Sequence, residues 1–287
     1  MILRCGSRTL DISTPRVMGV LNLTPDSFYD GGRYCDGAGP LLEHALVAAD
    51  KMHTGGADII DIGGESTRPG AARVSEQQEC DRVLPVVEAL SARLDVVLSI
   101  DTSTPAVIAQ AARLGAGMIN DVRALTRPKA LAAALGTKLP LCLMHMQGMP
   151  ATMQHNPCYG DVVAEVKRYL EGRIAAVVDA AGAEAPQILI DPGFGFGKTD
   201  GHNIALLKQL SEFADLACPI LVGLSRKSLL GRLLGREADQ RLAGSLALAL
   251  MAVQNGANIV RVHDVAETSD IVKLFNIMKT GTVIDGA

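Results

Sequence analysis

Short aliphatic runs recur along the chain, each ending on a polar residue. Longer stretches, with apolar positions three and four apart, separate them. The runs fall at 16–21, 58–62, 96–100, 117–119, 139–144, 187–190, 219–222 and 258–262. Each is near-continuously apolar, the pattern of strands buried on both faces. The stretches near 40–53, 76–93, 105–114, 129–135, 161–181, 202–214, 240–254 and 266–279 predict helices. Gly-Ala pairs at Gly56-Ala57, Gly115-Ala116, Gly182-Ala183 and Gly256-Ala257 stand where a helix hands over to a strand, and glycine just past a helix end takes the left-handed conformation cheaply. Ser75 with Gln78, and Asp264 with Glu267, predict capping boxes. Thr104 predicts a cap ahead of Pro105 in the first turn. Eight strands alternating with eight helices predict an α/β fold of the (β/α)8 kind, a TIM barrel. No linker or shift in composition divides the chain, so one domain is expected over 1–287, with residues 1–14 as an N-terminal extension over the barrel's lower end.

In such a barrel the C-terminal ends of the strands converge on one mouth, where reactive groups sit. Polar residues follow the runs there: Asn22; Asp61, then Glu65, Ser66, Thr67 and Arg68; Asp101; Asn120 and Asp121; His145; Asp191; Ser225, Arg226 and Lys227; Arg261 and His263. A lone aspartate at a strand end is as readily a solvated loop residue, but eight strand ends in a row are not explained that way. Asp101, Asn120 and Asp191 suit a flat heterocycle with paired N–H donors, because a carboxylate accepts two parallel N–H bonds well. Lys227 is suited to a carbonyl oxygen or ring nitrogen of the same ligand. Arg68, Arg261 and His263 suit a phosphate or pyrophosphate. Asn22 is suited to the same group through Mg²⁺, which is held by few protein ligands plus substrate phosphates.

The stretch 188–199, ILIDPGFGFGKT, runs an aliphatic strand straight into a carboxylate and a glycine-rich loop. It is not a P-loop, since Pro192 stands where that motif needs glycine, nor a dinucleotide fingerprint, since Lys198 follows Gly197. Phe194 and Phe196 predict an apolar wall for a second flat ligand. Lys198 is expected to solvate the loop, and His145 to make either a core hydrogen bond or a ligand contact. Asp61 and Glu65 are expected to bond to backbone in their turn. Together these residues predict a barrel enzyme that joins a phosphorylated heterocycle to a small aromatic partner.

Composition narrows the partners. Of 287 residues, 48% are hydrophobic, enough for a large core, and the net charge of −4 comes with no basic run, which argues against nucleic acid. No apolar run is long enough to cross a bilayer, which argues against a membrane. The first thirteen residues lack the apolar core of a signal peptide. Six cysteines with no CxxC pair point to reduced thiols in a cytoplasm, and not to zinc or a disulfide framework.

Eight motifs occur in order at the predicted strand ends: MGVLNLTPDSFYDGG from Met18, GADIIDIGGESTRPGA from Gly56, SIDTS from Ser99, IND from Ile119, LMHMQGMP from Leu143, DPGFGFGK from Asp191, GLSRKS from Gly223 and RVHDV from Arg261. Together they resemble the bacterial dihydropteroate synthases over nearly the whole chain. The resemblance implies condensation of 6-hydroxymethyl-7,8-dihydropterin pyrophosphate with p-aminobenzoate, which sulfonamides mimic, to 7,8-dihydropteroate. By position it implies a pterin site of Asp101, Asn120, Met144, Asp191, Gly223 and Lys227. It implies a pyrophosphate site of Asn22, Arg68, Arg261 and His263, with Asn22 as the Mg²⁺ contact. A p-aminobenzoate site of Thr67, Pro69, Phe196, Lys227 and Ser228 follows, with Asp101, Lys227 and Arg261 as the catalytic groups. It also implies closure of two loops, 22–34 and 63–71, and a homodimer formed through the apolar faces of 240–254 and 266–279. Two rivals share the deep acids: a pterin-binding methyltransferase barrel and a pterin-binding paralogue without turnover.

Overall fold

Eight parallel strands close on themselves around a common axis. The computed structural model describes residues 1–24, 38–66, 74–149 and 152–281. An antiparallel hairpin, β1 (Ile2–Cys5) and β2 (Arg8–Asp11), opens the chain. The barrel strands follow as β3 (Arg16–Asn22), β4 (Ile59–Gly63), β5 (Val97–Asp101), β6 (Met118–Asp121), β7 (Leu141–Met144), β8 (Ile188–Asp191), β9 (Leu221–Val222) and β10 (Ile259–Val262). They are hydrogen-bonded in the order β8-β7-β6-β5-β4-β3-β10-β9. A parallel bridge between Ile190 and Ile220 joins the two ends of that order and closes the circle. The helices are α1 (Ala38–Thr54), α2 (Glu76–Arg93), α3 (Pro105–Arg113), α4 (Ala130–Thr137), α5 (Val162–Ala181), α6 (Asp200–Lys208), α7 (Ser228–Leu234), α8 (Leu242–Gln254) and α9 (Val265–Thr280). None among the described residues is long and apolar enough to cross a membrane.

Side chains alternate between the two faces of a strand, and the apolar residues sort accordingly. Outward positions such as Leu21, Ile60, Ile62, Leu98, Ile100, Leu143 and Ile190 form the large core beneath the helices. Inward, each barrel strand gives one residue to a lower layer: Met18, Ile59, Val97, Met118, Cys142, Leu189, Leu221 and Ile259. Leu3, Cys5 and Ile12 from the hairpin region pack into the same layer and close the barrel's lower end. Two residues further along, on the same inward face, stand Val20, Asp61, Ser99, Asn120, Met144, Asp191, Gly223 and Arg261. The apolar layer below therefore excludes water from a polar layer above, and that layer faces the open end.

Gly56, Gly115, Gly182 and Gly256 all have positive φ, as their places past helix ends require. The Ser75–Gln78 capping box is present. The other two expected caps are not, because stronger partners claim the side chains. Thr104 Oγ1 donates to Glu79 Oε2 at 2.5 Å, and Asp264 accepts a two-point bond from Arg226. Helix α7 was not legible in the apolar pattern: seven residues with two glycines close by carry little periodicity.

Candidate active site

The centre of the polar layer is one guanidinium shared by two carboxylates. Arg261 donates from Nε to Asp61 Oδ2 at 2.6 Å and from a terminal nitrogen to Asp101 Oδ2 at 2.9 Å. Asp61 is fully buried, and its Oδ2 also accepts from Asn120 Nδ2 at 3.1 Å. Because a carboxylate oxygen only accepts, this contact fixes which way the Asn120 amide faces. Burial pushes the Asp101 carboxyl well above the usual carboxylate range, against the pull of Arg261. Burial alone would weaken the Arg261 proton; Asp61 and Asp101 more than offset it and raise the guanidinium above its ordinary range.

Across the mouth, Asp191 is buried and accepts from Gly193 N at 2.7 Å. Burial again raises its carboxyl. Lys227 has its ammonium 4.3 Å from the centre of the Phe196 ring, and burial pushes it down to about 8 against the pull of Asp191. Ser228 is exposed at the start of α7. Met144 lies in the inward layer, and Gly223 leaves open space beside Arg261, since a side-chain carbon there would come no closer than 3.9 Å to Arg261 Cβ. Arg226 holds a left-handed backbone, φ 54°. Its ion pair with Asp264 ties the turn after β9 to the turn after β10, where Ser225 Oγ meets His263 N and Nδ1 at 3.1 Å each. Asn22 ends β3 opposite Gly63; the space a Gly63 side chain would fill lies 3.6 Å from both Asn22 Oδ1 and Asp101 Cβ.

The family of pterin binding enzymes matches residues 18–263, which alone leaves the methyltransferase rival standing. The dihydropteroate synthase of Escherichia coli (strain K12) is 53% identical over 266 residues, covering 93% of this chain and 92% of that one. The chain belongs to the dihydropteroate synthase family. Solved dihydropteroate synthases superpose closely. The Yersinia pestis synthase in a sulfonamide drug complex is 51% identical, with a TM-score of 0.91 and coverage of 98% and 100% of the two chains. The Xanthomonas albilineans synthase with 4-aminobenzoic acid is 46% identical, with a TM-score of 0.90 and coverage of 97% and 98%.

Asp101, Asn120, Met144, Asp191, Gly223, Lys227 and Arg261 come together at the barrel's open end, with Asn22, His263, Phe196 and Ser228 around them. Thr67, Arg68 and Pro69 lie outside the described residues, as does most of each loop expected to close. Four expectations need correction. Asp61 does not bond to backbone in its turn; it anchors Arg261 and Asn120. Glu65 pairs with both terminal nitrogens of Arg123. Phe194 does not wall a ligand, because it is 1% exposed in the outer core. Lys198 does not solvate its loop: it is 1% exposed, and His145 supplies one of its buried partners.

The Mg²⁺ expectation is also overturned. Among the described residues, no three His, Cys, Asp or Glu side chains group so as to hold a metal ion. The physical reason lies in the clamp. The two carboxylates that could join Asn22, Asp61 and Asp101, are already paired with Arg261. A single neutral amide oxygen is a poor site for a cation that demands near-octahedral oxygen ligands.

Proposed function

We propose a division of labour among these residues for the reaction of the family. The chain is a transferase of folate biosynthesis: it condenses 6-hydroxymethyl-7,8-dihydropterin pyrophosphate with p-aminobenzoate to 7,8-dihydropteroate and pyrophosphate. The bond from the exocyclic CH₂ to the pyrophosphate oxygen breaks, and its electron pair leaves with pyrophosphate. Positive charge spreads into the pterin ring. Asp101 stabilises that charge at close range, in a pocket with little water to screen it. Asn120, Asp191 and Lys227 hold the pterin edge, with Met144 and Gly223 along its faces. Arg261, His263, Asn22 and Arg68 take the leaving anion. The amine of p-aminobenzoate attacks from a site walled by Phe196, Lys227 and Ser228, with Thr67 and Pro69 completing it, and loses one proton as the new C–N bond forms.

The observation supporting this reading is the position of Arg261, hydrogen-bonded to Asp101, with His263 two residues further towards the open end. One cation can then leave Asp101 for the pyrophosphate and free that carboxylate for the developing cation. Sulfonamides compete at the p-aminobenzoate site. We further take the chain as one domain over 1–287 with residues 1–14 as an extension, acting in the cytoplasm, and paired as a homodimer. The exposed apolar residues Met251 on α8 and Leu274 and Met278 on α9 support that pairing. The charge of −4 fits neither a nucleic-acid nor a membrane-surface partner.

A pH profile tests the assignment of Asp101 and Lys227. Asp101 works ionised and is raised by burial, so kcat/KM falls as pH drops through a value above the usual carboxylate range. Lys227 works protonated and is lowered to about 8, so kcat/KM also falls as pH rises through that value. Lys227→Arg should move the alkaline limb upward. A profile flat between about pH 6 and pH 9 would remove both residues from these roles.

A further inference from the structure

Lys198 is among the largest fully buried side chains in the protein. Burial pushes the Lys198 ammonium down to about 7 against the pull of Asp191; in the protonated form it has three N–H donors. Those of Lys198 meet three acceptors at bonding distance: Gly193 O at 2.9 Å, Phe196 O at 3.0 Å and His145 Nδ1 at 2.9 Å. His145 can accept because burial and the Lys198 charge hold its ring neutral, with its pKa lowered to about 3. Tyr169 packs edge-on against the ring at 4.9 Å and fixes its angle. No donor is left for a ligand, so Lys198 does not bind substrate.

The acceptors explain the need for a cation. Gly193, Gly195 and Gly197 have φ of +70°, +79° and +62°, which turns successive carbonyls out of register. A side-chain carbon on Gly193 would lie 1.8 Å from His145 O, and one on Gly197 2.3 Å from Gln147 O. The turn is therefore pressed against the strand end that carries His145. Its other carbonyls are taken from outside: Gln154 donates to Gly195 O and Tyr159 to Gly197 O. Phe196 N donates to Gly193 O at 3.1 Å, and Lys198 is the side chain that bonds both inward carbonyls, Gly193 O and Phe196 O. We propose that Lys198, seated on His145, is a positioning residue that holds this turn in shape and so sets Phe196 under Lys227. Lys198 and Lys227 line one crevice with Gly195 of the turn and Ser228. The proposal rests on Phe196 forming part of the p-aminobenzoate site, and it makes Lys198 act more on affinity for that substrate than on affinity for the pterin.

Steady-state kinetics on the full chain test it. For Lys198→Met the KM for p-aminobenzoate should rise about tenfold or more while that for the pterin pyrophosphate moves by no more than about twofold. His145→Gln, which still offers Lys198 an acceptor, should shift the p-aminobenzoate KM less. A folded Lys198→Met with wild-type KM for p-aminobenzoate overturns the proposal, as does an equal rise in both KM values, which marks general loosening. Phe196→Ala is the control. If it leaves the p-aminobenzoate KM unchanged, the site assignment fails; if it raises that KM and Lys198→Met does not, only the positioning role fails. Should Lys198→Met not fold, acetic anhydride labelling of the wild-type protein decides. Lys198 should stay unlabelled while Lys138, with a side chain 78% exposed, is acetylated. Equal labelling of the two overturns the proposal.

Discussion

Asp101→Asn is expected to lower kcat by about 10²–10³-fold, the usual cost of removing one preorganised group from a site where charge develops. Asparagine keeps the shape of the side chain and an oxygen for the Arg261 terminal nitrogen, but carries no charge to set against the pterin cation. The protein should not lose its fold. Asp101 is raised in the folded state, so its ionised form costs stability at neutral pH, a cost that shrinks as pH falls below the folded value and is gone below the unfolded one. Asparagine removes that cost at every pH and gives up the charge pairing with Arg261. Thermal unfolding should therefore change little while turnover collapses. Binding of the pterin pyrophosphate, measured by titration, should weaken far less than kcat. A variant with wild-type kcat would show that Asp101 does not face the developing charge.

Arg261→Met is expected to lose both stability and substrate. Two buried carboxylates, Asp61 and Asp101, share this one guanidinium. Removing one partner of a buried network leaves uncompensated charge, typically at a cost of 3–5 kcal/mol. The Arg261 side chain is 21% exposed, and water screens part of the effect, so about 3 kcal/mol is expected by urea unfolding at neutral pH. The sign of the pH dependence follows. Without the cation the Asp101 carboxyl rises further, so stability is lost as pH increases towards its folded value and regained at lower pH. Adding Asp61→Asn to Arg261→Met should recover much of the loss, because one of the two unpaired charges is gone. If Arg261→Met unfolds at the wild-type urea concentration, the clamp contributes nothing to the fold.

Much of this site was legible in the chain itself. Strand ends in a barrel meet at one mouth, so Asp101, Asn120, Asp191, Lys227 and Arg261 converge although 160 positions separate the first and last of them. The two-residue period carries more than strand ends do. Asp61 and Arg261 each stand two places beyond an inward apolar residue, Ile59 and Ile259, and that spacing marks Asp61 as a floor residue, not a turn residue. What the chain did not disclose depends on competition between partners. Thr104 and Asp264 look like caps until Glu79 and Arg226 are seen to claim them. Phe194 and Phe196 look equivalent because they stand two positions apart, but the left-handed Gly195 between them breaks the alternation, and Phe194 goes into the core. Lys198 reads as a solvated end to a loop because nothing local marks the carbonyls it must satisfy. The Mg²⁺ expectation failed for a related reason: acids that would accept a metal are indistinguishable in sequence from acids already paired with arginine.

A crystal structure of the chain with an unreactive pterin pyrophosphate analogue and p-aminobenzoate tests the assembly most directly. The pterin ring should lie against Asp101, Asn120, Asp191 and Lys227, with the terminal nitrogen of Arg261 moved from Asp101 onto the pyrophosphate and its Nε still on Asp61. A pterin bound elsewhere, or Arg261 still bridging both carboxylates beside a bound pyrophosphate, would contradict it.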